Sequence, residues 1–101
     1  MISPTKTRVR PERRTAAGNR ANKLAADFLQ IDSEIALTLS GIALAASDPE
    51  KSERTTQTAR RAYDTIARLR TNVELSHAEG DKLDANLQRL KRKLQTLGQS
   101  F

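Results

Sequence analysis

His77, Glu79 and Asp81 form the tightest group of side chains in this chain that could move a proton. His77 is the only histidine. A catalytic base needs a nucleophile or a carboxylate organised beside it. Glu79 and Asp81 instead sit two and four residues past His77, at what reads as a helix start, where capping and solvation are their expected roles. The chain has no HExxH, no glycine-rich phosphate loop and no GxSxG. Asp27, Asp32 and Glu34 are embedded in a helical apolar period and do not form a calcium loop. The expectation is a non-enzymatic protein with no catalytic residue, no metal ligand and no cofactor.

The second kind of chemistry is anion binding. Residues 1–23 hold Lys6, Arg8, Arg10, Arg13, Arg14, Arg20 and Lys23 against a single acid, Glu12. The remaining residues balance eleven bases with eleven acids, so the whole formal charge of +6 belongs to the first quarter of the chain. Pro4, Pro11 and the low apolar content predict an extended or flexible arm over 1–18. Such an arm could meet phosphates on a nucleic acid. Arg89, Lys91, Arg92 and Lys93 form a second basic cluster, and a charge run of this kind on a helix is most often a solvated face. No helix-turn-helix, zinc finger or RNA-stacking aromatic pattern is present to read bases.

The apolar pattern around these residues is helical throughout, with no strand-like alternation. Leu24, Phe28, Ile31, Ile35, Leu39 and Ile42 follow at intervals of 4, 3, 4, 4 and 3, one face of a helix over about 19–46. Leu29, Leu37 and Leu44 fall on its other faces, so Ile35–Ala46 is apolar almost all round. Ser47-Asp48-Pro49-Glu50 reads as a capping box with Ser47 at the N-cap, opening a helix over about 48–73. Its expected buried stripe is Thr55, Ala59, Ala62 or Tyr63, Ile66, Leu69 and Val73, with Tyr63 packing in the core. Asp64 stands four residues after Arg60, where the two can pair. Ser76 and Glu79 mark a second capping box. From there Leu83, Leu87, Leu90, Leu94 and Leu97 repeat at 4, 3, 4 and 3 along a helix over about 77–97. Gly98 follows as a C-terminal stop. Gly80 weakens the start of that helix by up to about 1 kcal/mol relative to alanine.

These elements predict an all-α chain, an antiparallel three-helix bundle over 19–101 behind the basic arm. Aromatics are limited to Phe28, Tyr63 and Phe101, and 37% of residues are apolar, so the core must be aliphatic and small. There is no cysteine. That excludes disulfides and thiolate zinc sites and fits a reducing, cytoplasmic setting. The run Ile35–Ala46 is too short to span a bilayer, so no integral membrane association is expected. The arm lacks an apolar segment for secretion, and its two prolines break the amphipathic helix of a transit peptide.

The stretch Thr58–Leu69 (TARRAYDTIARL) and the frame Leu75-Ser76…Glu79…Leu83…Leu87…Leu90-Lys91…Leu94 resemble small one-domain helical proteins of environmental bacteria. The likeness covers about residues 32–97. The helix pair also resembles a tetratricopeptide-type hairpin followed by a capping helix. It departs from a true repeat in having no second copy, and Gly41 and Ala59 lie too far apart for the small-residue positions. No site residue carries over. The resemblance implies a helical interaction module. Two functions follow as expectations. The first is an adaptor or regulator that binds a protein partner or its own copy through the first helix. The second is a nucleic-acid-associated protein that grips phosphates through the arm and the 89–93 cluster.

Overall fold

The computed structural model describes the backbone of residues 16–101 and the side chains from residue 20 onward. Within that range the chain forms three helices and no strand. Helix α1 runs Ala16–Ala45, α2 runs Pro49–Leu69, and α3 runs His77–Thr96. A 3₁₀ turn, Arg70–Asn72, closes α2. All three helices pack on one another, which is the three-helix bundle that the apolar period predicts.

The helix ends follow from local chemistry. At the start of α2 the N-cap is Asp48, whose carboxylate accepts from the Glu50 backbone N–H at 3.1 Å. The sequence favoured Ser47. Proline explains the difference: Pro49 disfavours the helical region for the residue before it, so Asp48 stays extended (φ −86°, ψ 115°) and the helix opens at Pro49. Ser52 then donates its hydroxyl to the Ala43 carbonyl at 2.9 Å, satisfying a terminal acceptor of α1 and closing the hairpin. At the start of α3 the capping box forms as expected. Ser76 Oγ accepts from Glu79 N–H at 3.1 Å and Glu79 Oε1 accepts from Ser76 N–H at 2.9 Å. At its end Gly98 takes φ +95°, and its N–H and that of Gln99 reach the carbonyls of Gln95 and Leu94, both at 2.9 Å. This is a Schellman stop, which only glycine enters without strain.

α2 ends four residues earlier than the period suggests, because the chain tightens into the 3₁₀ turn. The turn lets Arg70 reach α3, where Nε lies 2.9 Å from Asp84 Oδ1 and Nη2 donates to Oδ2 at 3.0 Å. Gly80 makes room for that reach. A Cβ there would stand 3.3 Å from the Arg70 Nη2. The glycine that weakens the α3 start therefore admits the guanidinium of the preceding turn.

The core has two parts. Leu29, Ile66, Leu83 and Leu87 form one, edged by Tyr63, Leu69, Val73 and Leu75. Ala36, Ala59, Leu90 and Leu94 form the other, edged by Leu37, Leu39, Ala62, Tyr63 and Leu97. The leucine seam of α3 is thus the wall expected of it, and Tyr63 joins both clusters. On α2 the buried threonine is Thr56, while Thr55 is only half-buried. Thr56 spends its hydroxyl on the Ser52 carbonyl at 2.7 Å, so it enters the core with its donor satisfied.

α1 shows the main departure from its pattern. The residues it buries are Ala26, Leu29, Ser33, Ala36, Ser40 and Ala43, a spacing of 3, 4, 3, 4 and 3. These are mostly small, and small residues let α2 and α3 approach closely. Ser33 and Ser40 stay satisfied by donating to the carbonyls three residues back, at 2.7 and 2.8 Å.

Candidate functional site

The large apolar residues of α1 point the other way. Leu24 is 65% exposed, Phe28 54%, Ile31 55% and Ile35 51%, and Ile42 and Leu44 are exposed as well. With Thr38, which is also exposed, Leu24, Phe28, Ile31, Ile35 and Ile42 repeat at 4, 3, 4, 3 and 4. That is a seam of the coiled-coil kind along a strip of about 27 Å. Leu39, which the period places in this stripe, turns partly inward to the second core cluster. Isolated exposed leucines are ordinary on a protein surface, whereas a contiguous stripe of large ones marks a contact face.

The borders of the stripe are largely neutralised from within. Asp27 pairs with Lys23 at 3.4 Å, and Glu34 with Lys82 of α3 at 3.7 Å. Along one border an open groove of about 490 Å³ runs between α1 and α3, lined by Asp27, Gln30, Ile31, Glu34, Glu79 and Lys82. Beneath it Gln30 donates to the Glu79 carbonyl at 2.8 Å and Asn86 donates to Ser33 Oγ at 3.0 Å, fixing the two helices against each other. At the N-terminal end Asn22 exchanges two hydrogen bonds with the Glu74 backbone, at 2.8 and 2.9 Å, so α1 is braced on the α2–α3 connection.

The anion-binding candidates are dispersed. Lys6, Arg8, Arg10, Arg13 and Arg14 lie outside the described residues. Arg20 is exposed, and Lys23 is turned to Asp27 and, at 3.9 Å, to Glu79. The 89–93 cluster is divided between two flanks of α3. Arg89 donates to Asn86 Oδ1 at 2.6 Å, on the α1 side. Lys91 lies on the α2 side, its ammonium 5.3 Å from the centre of the Phe101 ring. Arg92 faces solvent and Lys93 is half-buried.

Phe101 belongs to a contact that no sequence pattern announces. The Gly98 turn carries the last residues back over α2. The Phe101 ring meets Tyr63 edge to face at 5.0 Å, and the Arg60 guanidinium lies 4.0 Å from the ring centre. Arg60 also donates to the Ser100 carbonyl at 2.7 Å and to Gln99 at 3.2 Å, and pairs with Asp64 at 3.1 Å as its spacing predicts. Arg60 and Arg70 are therefore engaged within the chain.

His77 is 94% exposed and stands 3.4 Å from Asp81, one turn on. Among the described residues no group of three or more His, Cys, Asp or Glu side chains could hold a metal ion. From Arg20 to Ala45, α1 is long and apolar enough to cross a bilayer by length and composition, with a mean hydropathy of 1.3. Asp32 and Glu34 lie near the middle of that span.

No family model matches the chain, and neither does any curated protein or solved structure.

Proposed function

We propose that this chain is a small non-enzymatic helical interaction module, an adaptor or regulator, whose docking face is the outer stripe of α1. The single observation behind the reading is the exposure of Leu24, Phe28, Ile31, Ile35 and Ile42 at seam spacing on a helix already held rigid by its opposite face. Fully burying such a side chain is worth about 1.5–3 kcal/mol. Five of them at roughly half exposure leave about 4–7 kcal/mol in gross terms. Association costs about 4–15 kcal/mol before any gain appears. A partner must therefore bring an apolar face of its own, and an amphipathic helix laid along the stripe does so. Placing α1 in a bilayer instead would strand Asp32 and Glu34 in hydrocarbon and strip α2 and α3 from its inner face, so α1 is read as a bundle helix and not as a membrane span.

The test is capture by the immobilised full chain and by its Ile31→Lys/Ile35→Lys variant, with circular dichroism to confirm that both stay helical. The reading expects a protein, either another chain or this one, retained by the first and lost by the variant about tenfold or more. Equal capture by both, or no stripe-dependent binding of any protein, overturns it. The alternative function, phosphate gripping, rests on the charge of residues 1–23. With the 89–93 cluster divided, the arm would act alone. If about five bases met phosphates, affinity for duplex DNA would fall with salt at a log–log slope of about −4 to −5. Binding that ignores salt, or no binding, removes that function.

A further inference from the structure

We infer that the occupant of the outer stripe is a second copy of this chain, packed antiparallel about a two-fold axis beside residue 33. The inference rests on the docking reading above and names its partner. The first argument is register. In the antiparallel arrangement Leu24 meets Ile42 of the second copy, Phe28 meets Thr38, and Ile31 meets Ile35, each pair occurring twice. The largest side chain of the seam thereby faces the smallest, and the three layers come out similar in volume, as close packing requires.

The parallel arrangement does the opposite. It stacks Phe28 on Phe28 and Thr38 on Thr38, one layer overfull and one underfilled. It also brings Asp27 against Asp32 of the second copy, but Asp27 is paired with Lys23 at 3.4 Å, so side-chain size and not border charge sets the direction. In the antiparallel arrangement Asp27 comes beside Gly41. Glu34 meets its own symmetry mate near the axis, each carboxylate held by Lys82 of its own chain at 3.7 Å. Asp32 approaches its own symmetry mate on the other border, which weakens the pairing without redirecting it.

The second argument is charge. With Asp27 tied to Lys23 and Glu34 to Lys82, the borders of the stripe carry little net charge. A strongly basic partner helix finds few free acids there. A face with the same neutral borders is the best complement, and the chain itself supplies one. The third argument is preorganisation. A seam of two to three heptads is too short to order two free helices, but α1 is already ordered by its inner face. A strip of this length falls among the small, exchanging interfaces, below about 1,200 Å² in total, so a micromolar dissociation constant is expected.

The chain has no cysteine, so introduced thiols are the only ones present. Phe28→Cys and Thr38→Cys variants are oxidised mildly, separately and mixed, while the unaltered chain is examined by sedimentation over micromolar to millimolar concentration. The expected result is a concentration-dependent dimer of the unaltered chain. The mixture should yield a covalent pair about tenfold more readily than Thr38→Cys alone, because a disulfide needs its Cβ atoms about 4 Å apart. Efficient linking of Thr38→Cys to itself would establish the parallel arrangement and overturn the inference. A monomer at every concentration overturns the second copy as occupant, even if stripe-dependent capture shows that the face docks another protein. A monomer that binds anionic phosphatidylserine vesicles through the stripe overturns both.

Discussion

The two long faces of α1 share a seven-residue rhythm and differ in residue size. The inner face is Ala26, Leu29, Ser33, Ala36, Ser40 and Ala43, and the outer face is Leu24, Phe28, Ile31, Ile35, Thr38 and Ile42. Burial went to the smaller set. The cause lies in what faces it. α3 brings Leu83, Leu87, Leu90 and Leu94, large residues that need shallow ground to pack into, and α2 brings Ala59 and Thr56 at close approach. Large residues on the inner face of α1 would have pushed those helices away. Fit to the opposing surface decided which face is core, and the more hydrophobic face was left exposed.

The strongest way to break the contrast is to hollow the wall that the inner face supports. Leu90 is fully buried against Ala36, Ala59 and Leu94. Leu90→Ala is expected to cost about 2–5 kcal/mol in urea unfolding, the range for a buried leucine whose site collapses incompletely. A loss below about 1 kcal/mol would mean that the second cluster is not a packed core. Next in size is an enlargement of the inner face. Ala36 is 0% exposed, and Ala36→Leu puts three more carbons where α2 and α3 already touch. The expected loss is about 1–3 kcal/mol despite the added hydrophobicity. A gain in stability would show that the inner face had room and that size was not the deciding variable.

Much of this architecture was legible beforehand because it is written locally. Ser76 with Glu79, Pro49, Gly98 and the leucine interval of α3 each act through the nearest turn of backbone, so reading the turn reads the structure. The S-x-x-E pattern points to Ser47, one residue before the true cap, because it takes no account of what Pro49 does to Asp48. Which face of α1 is buried was not legible, since helical period shows which residues share a face but not which face meets the neighbouring helices. The alanine–serine interval from Ala26 to Ala43 was present all along. Helical period does not mark it as a core face, because hydrophobicity weights alanine and serine lightly. The closure of Phe101 on Tyr63 and Arg60 left no sequence signal at all, because it joins residues about forty positions apart through a glycine turn. The division of Arg89 from Lys91 follows from their half-turn separation on α3, which a count of charges conceals.

The smallest expected effect discriminates most between the two faces. Ile35→Ser removes a large residue from the centre of the outer stripe. Isoleucine and serine have similar helix propensity, so α1 itself should be indifferent. If the outer face serves only docking, the monomer at low concentration should change by no more than about 0.5 kcal/mol, as surface substitutions do. The unaltered chain should behave differently as it is concentrated. Pairing that favours the folded state adds about 1.4 kcal/mol at ten times the dissociation constant, which for a domain of this size raises Tm by about 5–10 °C. Ile35→Ser should abolish that rise while leaving the dilute Tm in place. A Tm independent of concentration in the unaltered chain would break the link to self-pairing. A dilute variant destabilised by 2 kcal/mol or more would go further, since the outer stripe would then belong to the fold of the single chain and the contrast between the faces of α1 would disappear.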